Sequence, residues 1–484
     1  MRVKTMTSRR PPALLPLALL LLLTGCIQVG DFRSQPSAAP KARDETQASS
    51  RPQITLFLND TDAGQTRAGV ETRAELQSAE VLCAGRWTPL LAKPLAISST
   101  QAAQGVLLGH GEVQAGICSA VRCRFDSVTL VEGGRRTALR VLAPETEFPL
   151  AKGVELREGD SVSFFLRWDV TASLSKSPDF IPAMRLTKQQ VPLTSGLALA
   201  SCPTLNTIYL IRTDQNRVCG SWGVPGRPTY LKAFKDRDLL YVLARDQGTI
   251  DVLSLSTGQI RDRFRVPLAA DLSFMTIDQA GGNAFLLDRK TEAIYRLRLD
   301  SGSLAAQGRI GVRPDFAALL DDLGRLAVSS ELSPDIFLLD PESLQVRQTI
   351  PAGGGPSGII SYQQRLYLAE AKAGSVGVID LGGGAPLTQP VGLGPTRLLA
   401  YDRTIYAANT EGGSITALLP GQLTVMREIQ VGGGPAEMAV SAEHNWLYAN
   451  DIRGDGVVAV SITDRKLAAR IELPARPLGL EVIP

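Results

Sequence analysis

Histidine is nearly absent from this sequence, whose 484 residues include only His110 and His444. Six cysteines occur, and no two of them form a CxxC pair. Zinc and iron sites draw mainly on these two residue types, so we predict no metal site. His444 lies in the run AEHN, which predicts a solvated turn. A histidine-based catalytic triad is therefore not expected, and we predict no catalytic residue and no cofactor.

Apolar runs long enough to span a membrane as a helix are also lacking. The run from Ala13 to Leu23 has 11 residues, whereas a membrane-spanning helix needs about 20. A basic surplus is missing as well, because the first 25 residues hold four of the 51 basic residues and none of the 48 acidic ones. The remaining chain has 47 basic against 48 acidic residues, a balance that argues against nucleic acid as a partner.

The basic residues that precede the apolar run give residues 1–25 the layout of a signal peptide. The run ends in Leu23-Thr24-Gly25-Cys26, which resembles the lipobox of bacterial lipoproteins. This resemblance implies that the Cys26 thiol carries acyl chains and that the lipid holds the protein to a membrane. Ile27 stands where an aspartate would resemble an inner-membrane retention signal. The outer membrane or cell surface is thus favoured over the outer face of the inner membrane.

Residues 26–52 are rich in Ser, Ala, Pro and charged residues, a composition that predicts a disordered tether. Export makes disulfides possible for the five further cysteines. Cys83 has two candidate partners, Cys118 and Cys123, and the sequence leaves the choice open. A whole predicted strand separates Cys202 from Cys219, which argues against a disulfide between them.

Residues 53–192 contain short alternating or β-branched runs without a helical period, which predict a β-sandwich. The predicted strands are Gln53–Asn59, Ser78–Leu82, Val106–Gly109, Arg124–Val131, Ala138–Leu142 and Ser161–Val170, with a hairpin turn at Glu132-Gly133-Gly134-Arg135. Together with Gly85-Arg86-Trp87 and Phe180-Ile181-Pro182, this order of features resembles a β-sandwich family of unassigned function found in bacterial lipoproteins. The resemblance implies a fold and no particular activity.

Residues 193–484 are built from internal repeats, each opened by a proline. The prolines are separated by 86, 42, 39, 40 and 42 residues, and they are Pro228, Pro314, Pro356, Pro395, Pro435 and Pro477. The first gap holds two units, the second of which starts near Asp271 without a proline. Each unit has four apolar strands, the second with an aromatic residue, as in Leu240-Tyr241-Val242. Four strands in about 40 residues predict one blade of a β-propeller.

A seventh unit is split between the two ends of this region. Leu478–Ile483 matches a first strand, whereas Gly196–Ala200, Thr207–Ile211 and Arg217–Trp222 match strands two to four. Such a blade removes two open sheet edges. The sequence therefore predicts an all-β, monomeric protein: an N-terminal β-sandwich, then a seven-bladed β-propeller closed by strands from both ends.

The repeats resemble the YVTN family of β-propellers, found in surface-layer and periplasmic proteins. The similar segments are Tyr406-Ala407-Ala408-Asn409, Tyr448-Ala449-Asn450 and the Gly-x-x-Pro openers Gly353–Pro356, Gly392–Pro395 and Gly432–Pro435. The resemblance covers roughly residues 205–484, and no copy contains an intact YVTN. It implies a propeller that works in the cell envelope.

Arginine recurs where the chain enters the first strand of a unit, and these residues are Arg227, Arg313, Arg397 and Arg476. Guanidinium groups around one channel mouth would bind carboxylate or phosphate. The alternative is ion pairing with acidic residues that the same face carries after the second strands, namely Asp246, Asp288, Glu331, Glu370 and Asp451.

The sequence favours a non-catalytic envelope lipoprotein whose propeller binds or scaffolds an envelope protein, a glycan or a small anionic ligand. The alternative is a propeller enzyme, lactonase- or lyase-like, that acts on a small anionic metabolite or a sugar derivative. Catalytic carboxylates or arginines scattered over several blades would leave no local motif.

Overall fold

The structure, a computed structural model, describes residues 49–61, 69–174, 178–189, 196–311, 313–330, 332–383 and 385–483. The predicted signal peptide, Cys26 and residues 26–48 of the predicted tether lie outside the described residues. Within the described ranges, no helix has both the length and the apolar character needed to cross a membrane.

The part before residue 190 consists of short strands and two single helical turns, α1 (Ser99–Ala102) and α2 (Val170–Ser173). Its described strands are β1 Gln53–Asp60, β2 Val70–Cys83, β3 Arg86–Pro89, β4 Leu95–Ser98, β5 Val106–Glu112, β6 Gly116–Glu132, β7 Arg135–Val141, β8 Glu145–Leu156, β9 Ser161–Trp168, β10 Asp179–Phe180 and β11 Met184–Lys188.

These strands form two sheets. One sheet has the order β11-β9-β1-β5, and the other has the order β10-β7-β6-β2-β3, with β4 paired to β2 and β8 paired to β6. The apolar side chains between the sheets form one core, which includes Trp168, Phe125 and Phe180. The predicted β-sandwich is therefore confirmed. Gly133 and Gly134, both at positive φ, form the predicted turn between β6 and β7.

Strands β1 and β9 are buried on both faces, which explains why they read as nearly continuous apolar runs. In β1, Ile54, Leu56 and Leu58 face the sandwich core. Phe57 points to the opposite side, where its ring stacks on that of Phe165 with centroids 5.7 Å apart. These two rings pack against residues of the propeller. The sheet that contains β1 is thus a middle layer between the sandwich core and the propeller.

The remaining described strands belong to the repeats, with 3₁₀ turns at Pro203–Leu205, Lys235–Arg237 and Arg245–Gln247. They are β12 Leu197–Cys202, β13 Thr207–Arg212, β14 Arg217–Gly223, β15 Pro228–Phe234, β16 Leu239–Ala244, β17 Thr249–Ser254, β18 Ile260–Arg265, β19 Leu272–Ile277, β20 Asn283–Asp288, β21 Ala293–Arg298, β22 Leu304–Arg309, β23 Pro314–Leu320, β24 Arg325–Ser330, β25 Asp335–Leu339, β26 Val346–Pro351, β27 Pro356–Tyr362, β28 Arg365–Glu370, β29 Ser375–Asp380, β30 Leu387–Pro390, β31 Pro395–Tyr401, β32 Thr404–Asn409, β33 Ser414–Leu418, β34 Val425–Gln430, β35 Pro435–Ser441, β36 Trp446–Asp451, β37 Gly456–Ser461, β38 Lys466–Glu472 and β39 Leu480–Ile483.

In the described part of the chain from Leu197 onward, these strands form seven four-stranded antiparallel sheets, the blades of a β-propeller. Within a blade, the second and third strands are almost wholly buried, since they pack against the neighbouring blades. The fourth strand is mostly exposed in five blades, as the pattern of Ile260–Arg265 illustrates, and mostly half-buried in β22. The predicted fold class is confirmed.

The first blade combines both ends of the repeat region, in the order β14-β13-β12-β39. Leu197 pairs with Ile483, and Ala200 pairs with Leu480. Strand β39 also contacts β15 and β35, the innermost strands of the two adjacent blades. The outermost strand β14 contacts β9 of the sandwich, which buries a strand that is exposed in the other blades.

Candidate ligand-binding sites

One residue near the start of each innermost strand belongs to a layer that crosses the central channel. Its members, in blade order, are Tyr230, Phe274, Phe316, Gly358, Arg397, Glu437 and Gly479. The ring centroids of Tyr230 and Phe274 lie 4.5 Å apart, and those of Phe274 and Phe316 lie 4.7 Å apart. The Arg397 guanidinium lies 4.5 Å from the centre of the Phe316 ring.

Arg397 also forms an ion pair with the next blade. Its Nε donates to Oε1 of Glu437 at 2.5 Å, and a terminal nitrogen donates to the Thr396 carbonyl at 2.9 Å. Burial opposes the charged form of Arg397, but the negative charges of Glu437 and Asp315 and the nearby Tyr230 outweigh it and raise the pKa of Arg397. The charges of Arg397 and Glu437 are thus paired with each other, and the Arg397 guanidinium also packs against the Phe316 ring.

Two members of the layer are glycines because the neighbouring innermost strand approaches too closely for a side chain. A Cβ atom at Gly479 would lie 1.9 Å from the carbonyl oxygen of Thr229. At Gly358 it would lie 2.6 Å from the carbonyl oxygen of Thr396. The three aromatic rings and the Arg397–Glu437 pair therefore supply the side chains of the layer.

A cavity of about 350 Å³ lies in the channel next to this layer. Tyr230, Phe274 and Phe316 line one end, and the other end extends to Ile277 and Asp321, where innermost strands terminate. The cavity therefore lies on the side of the layer away from the entering prolines. We call the end with the prolines the proline face.

The cavity wall contains a second ion pair between adjacent innermost strands. Lys232 Nζ donates to Oε1 of Glu481 at 2.9 Å, and the Ala233 backbone N–H donates to the same oxygen at 3.3 Å. Burial raises the pKa of Glu481, and the charge of Lys232 partly offsets this rise. Two of the three carboxylates in the cavity wall, those of Glu437 and Glu481, are thus paired with cations, and Asp321 is the third.

The four arginines predicted as an anion site do not lie in equivalent surroundings. Arg397 belongs to the channel layer, whereas the other three precede the entering prolines. A terminal nitrogen of Arg227 lies 3.8 Å from Oδ1 of Asp246, in the same blade. Arg313 and Arg476 are exposed. Arg397 lies within the channel, and its side chain pairs with Glu437 of the next blade. Binding of an anion by Arg397 stays a prediction. Ligand binding by the remaining three stays a prediction.

The acidic residues on the proline face mostly stabilise its loops. Asp288 is buried and accepts the backbone N–H groups of Ala270, Asp271, Lys290 and Thr291. Asp451 is buried as well, and it accepts from Gly434 and Gly454 and pairs with Arg470. Glu370 accepts from the Ser375 hydroxyl. Of the ion pairs expected as the alternative, that of Arg227 with Asp246 is observed. Glu331 lies outside the described residues.

The histidines and cysteines do not form a reactive cluster. His444 is half-buried rather than solvated, because its Nδ1 lies 3.0 Å from the Thr213 hydroxyl of the first blade. Cys83 and Cys118 form a disulfide, which decides the pairing that the sequence left open. Among the cysteines that the structure describes, Cys123, Cys202 and Cys219 are free. In the described ranges, no group of three His, Cys, Asp or Glu side chains is placed to hold a metal ion.

The fold and the channel define a seven-bladed β-propeller joined to a β-sandwich. Neither a family model nor a curated protein matches the sequence. Among solved structures, a functionally unknown protein from Desulfotomaculum acetoxidans is 12% identical, with a TM-score of 0.52 over 60% of this chain and 99% of that chain. A protein from Lactobacillus plantarum is 15% identical, with a TM-score of 0.50 over 59% and 98%. At these identities the likeness shows the fold alone.

Proposed function

We propose that this chain is a lipid-anchored cell-envelope protein whose β-propeller is a non-catalytic binding module. The observation that carries the proposal is the channel cavity of about 350 Å³. The layer containing Tyr230, Phe274, Phe316 and the Arg397–Glu437 pair bounds it at one end. Its volume lies within the range of about 300–1,000 Å³ typical of small-molecule sites. A cavity bounded in this way suits retention of a small ligand.

The chemistry of the cavity wall favours binding over catalysis. General acid–base catalysis needs a side chain that can exchange a proton with the reacting group. Glu437 and Glu481 each hold a cation, Arg397 and Lys232 respectively. These pairs favour a structural role for two of the three carboxylates that line the cavity, Asp321 being the third, over the lactonase- or lyase-like activity that is the alternative.

The proposed location rests on the Leu23-Thr24-Gly25-Cys26 segment and its resemblance to a lipobox. A lipid on Cys26 would hold the protein at the outer membrane or the cell surface. The ligands within reach there are envelope glycans, other envelope proteins and small anionic molecules. The cavity volume favours a small molecule or a glycan fragment over a protein.

Ligand capture from metabolite extracts, read by mass spectrometry, tests this proposal. We expect the full-length protein to enrich a small compound that the cavity-filling variant Ala318→Leu does not enrich. Ala468→Leu, at an exposed position of strand β38, is the matched control and should behave like the wild type. If Arg227→Gln/Arg313→Gln loses the enrichment and Ala318→Leu keeps it, the ligand binds at the proline face instead of in the channel cavity. Turnover of the enriched compound would contradict a non-catalytic role.

A further inference from the structure

A second concave site lies outside the channel, between the sandwich and the first two blades. It is a groove of about 680 Å³ between β8 and β11, which are edge strands of the two different sandwich sheets. Its apolar wall is formed by Leu150, Val154 and Leu186, and Trp222 of the first blade lines it from the propeller side. We call this site the edge groove. Its volume is typical of a small-molecule site.

Three basic side chains line the edge groove beside its apolar wall: Lys152, Arg185 and Lys188. All three are exposed, and none has an ion-pair or hydrogen-bond partner in the part of the chain that the structure describes. Three unpaired cations beside an apolar wall are complementary to an anion that carries an apolar body.

Trp222 adds an aromatic surface to the apolar wall. Its side chain is 6% exposed and lines the edge groove from the propeller side. The apolar part of a ligand would pack against this ring.

The groove continues into a polar cleft of about 530 Å³, with which it shares Val162, Gln189, Trp222 and Thr257. This cleft is lined by Glu155, Glu158 and Asp160, so the two ends of the combined site carry opposite charge. The acidic end would repel a second negative group. The charge pattern therefore selects a ligand with one anionic head and an uncharged, apolar remainder.

We propose that the edge groove binds a single-chain amphiphile with one anionic head, such as a fatty-acid anion. The head contacts Lys152, Arg185 and Lys188, and the chain lies along Leu150, Val154 and Trp222. This site is independent of the channel cavity and of the ligand proposed for it.

Isothermal titration calorimetry with dodecanoate tests the proposal, using the full chain with Cys26→Ser so that no detergent is needed. We expect saturable 1:1 binding. Lys152→Gln/Arg185→Gln/Lys188→Gln should weaken it at least tenfold, and Ala151→Trp, which fills the groove without changing charge, should abolish it. The matched control Arg124→Gln/Arg135→Gln/Arg136→Gln removes three other basic residues of the sandwich and should leave binding unchanged.

Two further ligands test the anionic head and the apolar chain separately. Dodecyltrimethylammonium has the same chain with a cationic head, and acetate has the head without the chain, so neither should bind. Equal dodecanoate affinity of the wild type and both groove variants would overturn the proposal. Binding to phosphatidylglycerol vesicles that Lys152→Gln/Arg185→Gln/Lys188→Gln loses, without saturable dodecanoate binding, would overturn it in favour of a membrane surface.

Discussion

Gln189 and Ser221 are joined by two hydrogen bonds that connect the sandwich to the first blade. The Gln189 Oε1 accepts the Ser221 N–H at 2.9 Å, and its Nε2 donates to the Ser221 carbonyl at 2.8 Å. The same Oε1 accepts the N–H of Ser163 in β9, also at 2.9 Å. One side chain thus supplies hydrogen-bond partners to backbone groups on both sides of the interface. These groups need a protein partner because they are buried away from water.

Replacing Gln189 with Ala should weaken this interface. Three backbone groups of the buried residues Ser163 and Ser221 would lose their partner, and the loss should cost about 3 kcal/mol of unfolding free energy. Urea denaturation followed by circular dichroism measures the change. Gln348→Ala, on the exposed strand β26, is the control and should change stability by less than about 0.5 kcal/mol. Equal stability of the two variants would contradict the role of Gln189.

Deleting residues 478–484 should destabilise the propeller by several kcal/mol, because β39 supplies the innermost strand of the first blade. The deletion exposes the edge of β12 and removes the contacts of β39 with β15 and β35. We expect a lower melting temperature and aggregation on size-exclusion chromatography. Deletion of residue 484 alone spares the pairing and is the control. A monomeric variant that melts at the wild-type temperature would disprove the contribution of β39.

The pair of Lys232 and Glu481 should make stability depend on pH. The pKa of Glu481 is raised in the folded protein, so folding favours its protonated form. The contribution of Glu481 to folding stability is therefore largest below the ordinary glutamate pKa of about 4.3. This contribution is lost as the pH rises through the pKa of Glu481 in the folded protein. Lys232→Met removes the offsetting charge, so the variant should lose stability more steeply than the wild type between about pH 5 and 8.

Melting temperatures measured across this pH range test the prediction. Lys232→Met/Glu481→Gln removes the titrating carboxyl as well, and the extra pH dependence should disappear. If Lys232→Met follows the wild-type pH profile, burial of Glu481 does not govern its protonation.

The disulfide between Cys83 and Cys118 joins residues 35 positions apart. A loop of this size predicts about 3–4 kcal/mol of stabilisation, largely through the unfolded chain. Reductant should therefore lower the denaturation midpoint of the wild type and of Cys219→Ser, whose cysteine is free. The denaturation midpoint of Cys83→Ala/Cys118→Ala should be lower than that of the wild type even without reductant, and reductant should not change it. A change on adding reductant to that variant would indicate a different disulfide.

The sequence predicted the propeller well because the blades repeat the same buried strands and six of the seven have an entering proline. It predicted the sandwich less completely. Strands β2 and β6 have 14 and 17 residues, longer than the apolar runs Ser78–Leu82 and Arg124–Val131, because their outer faces are polar. Strand β8 has mostly exposed residues and was missed. Ser161–Val170 was predicted too long, since Asp169 caps a helical turn by accepting the Ala172 N–H.

The channel layer was only partly visible in the sequence. Arg397 and Glu437 occupy the same position in consecutive repeats, two residues after Pro395 and Pro435, and that alignment was the signal for their pairing. Arg397 was instead grouped with arginines at the rim. The pair of Lys232 and Glu481 depends on the register of strands about 250 residues apart, which no local pattern encodes.

The lipid anchor on Cys26 is the central claim about where this protein works, and metabolic labelling with a fatty-acid analogue tests it most directly. The full-length protein should incorporate the label and fractionate with membranes. Cys26→Ser should lose the label and be released, because the apolar run Ala13–Leu23 is too short to span a bilayer. Cys219→Ser is the control and should remain labelled. Label that persists on the Cys26→Ser protein would contradict the account.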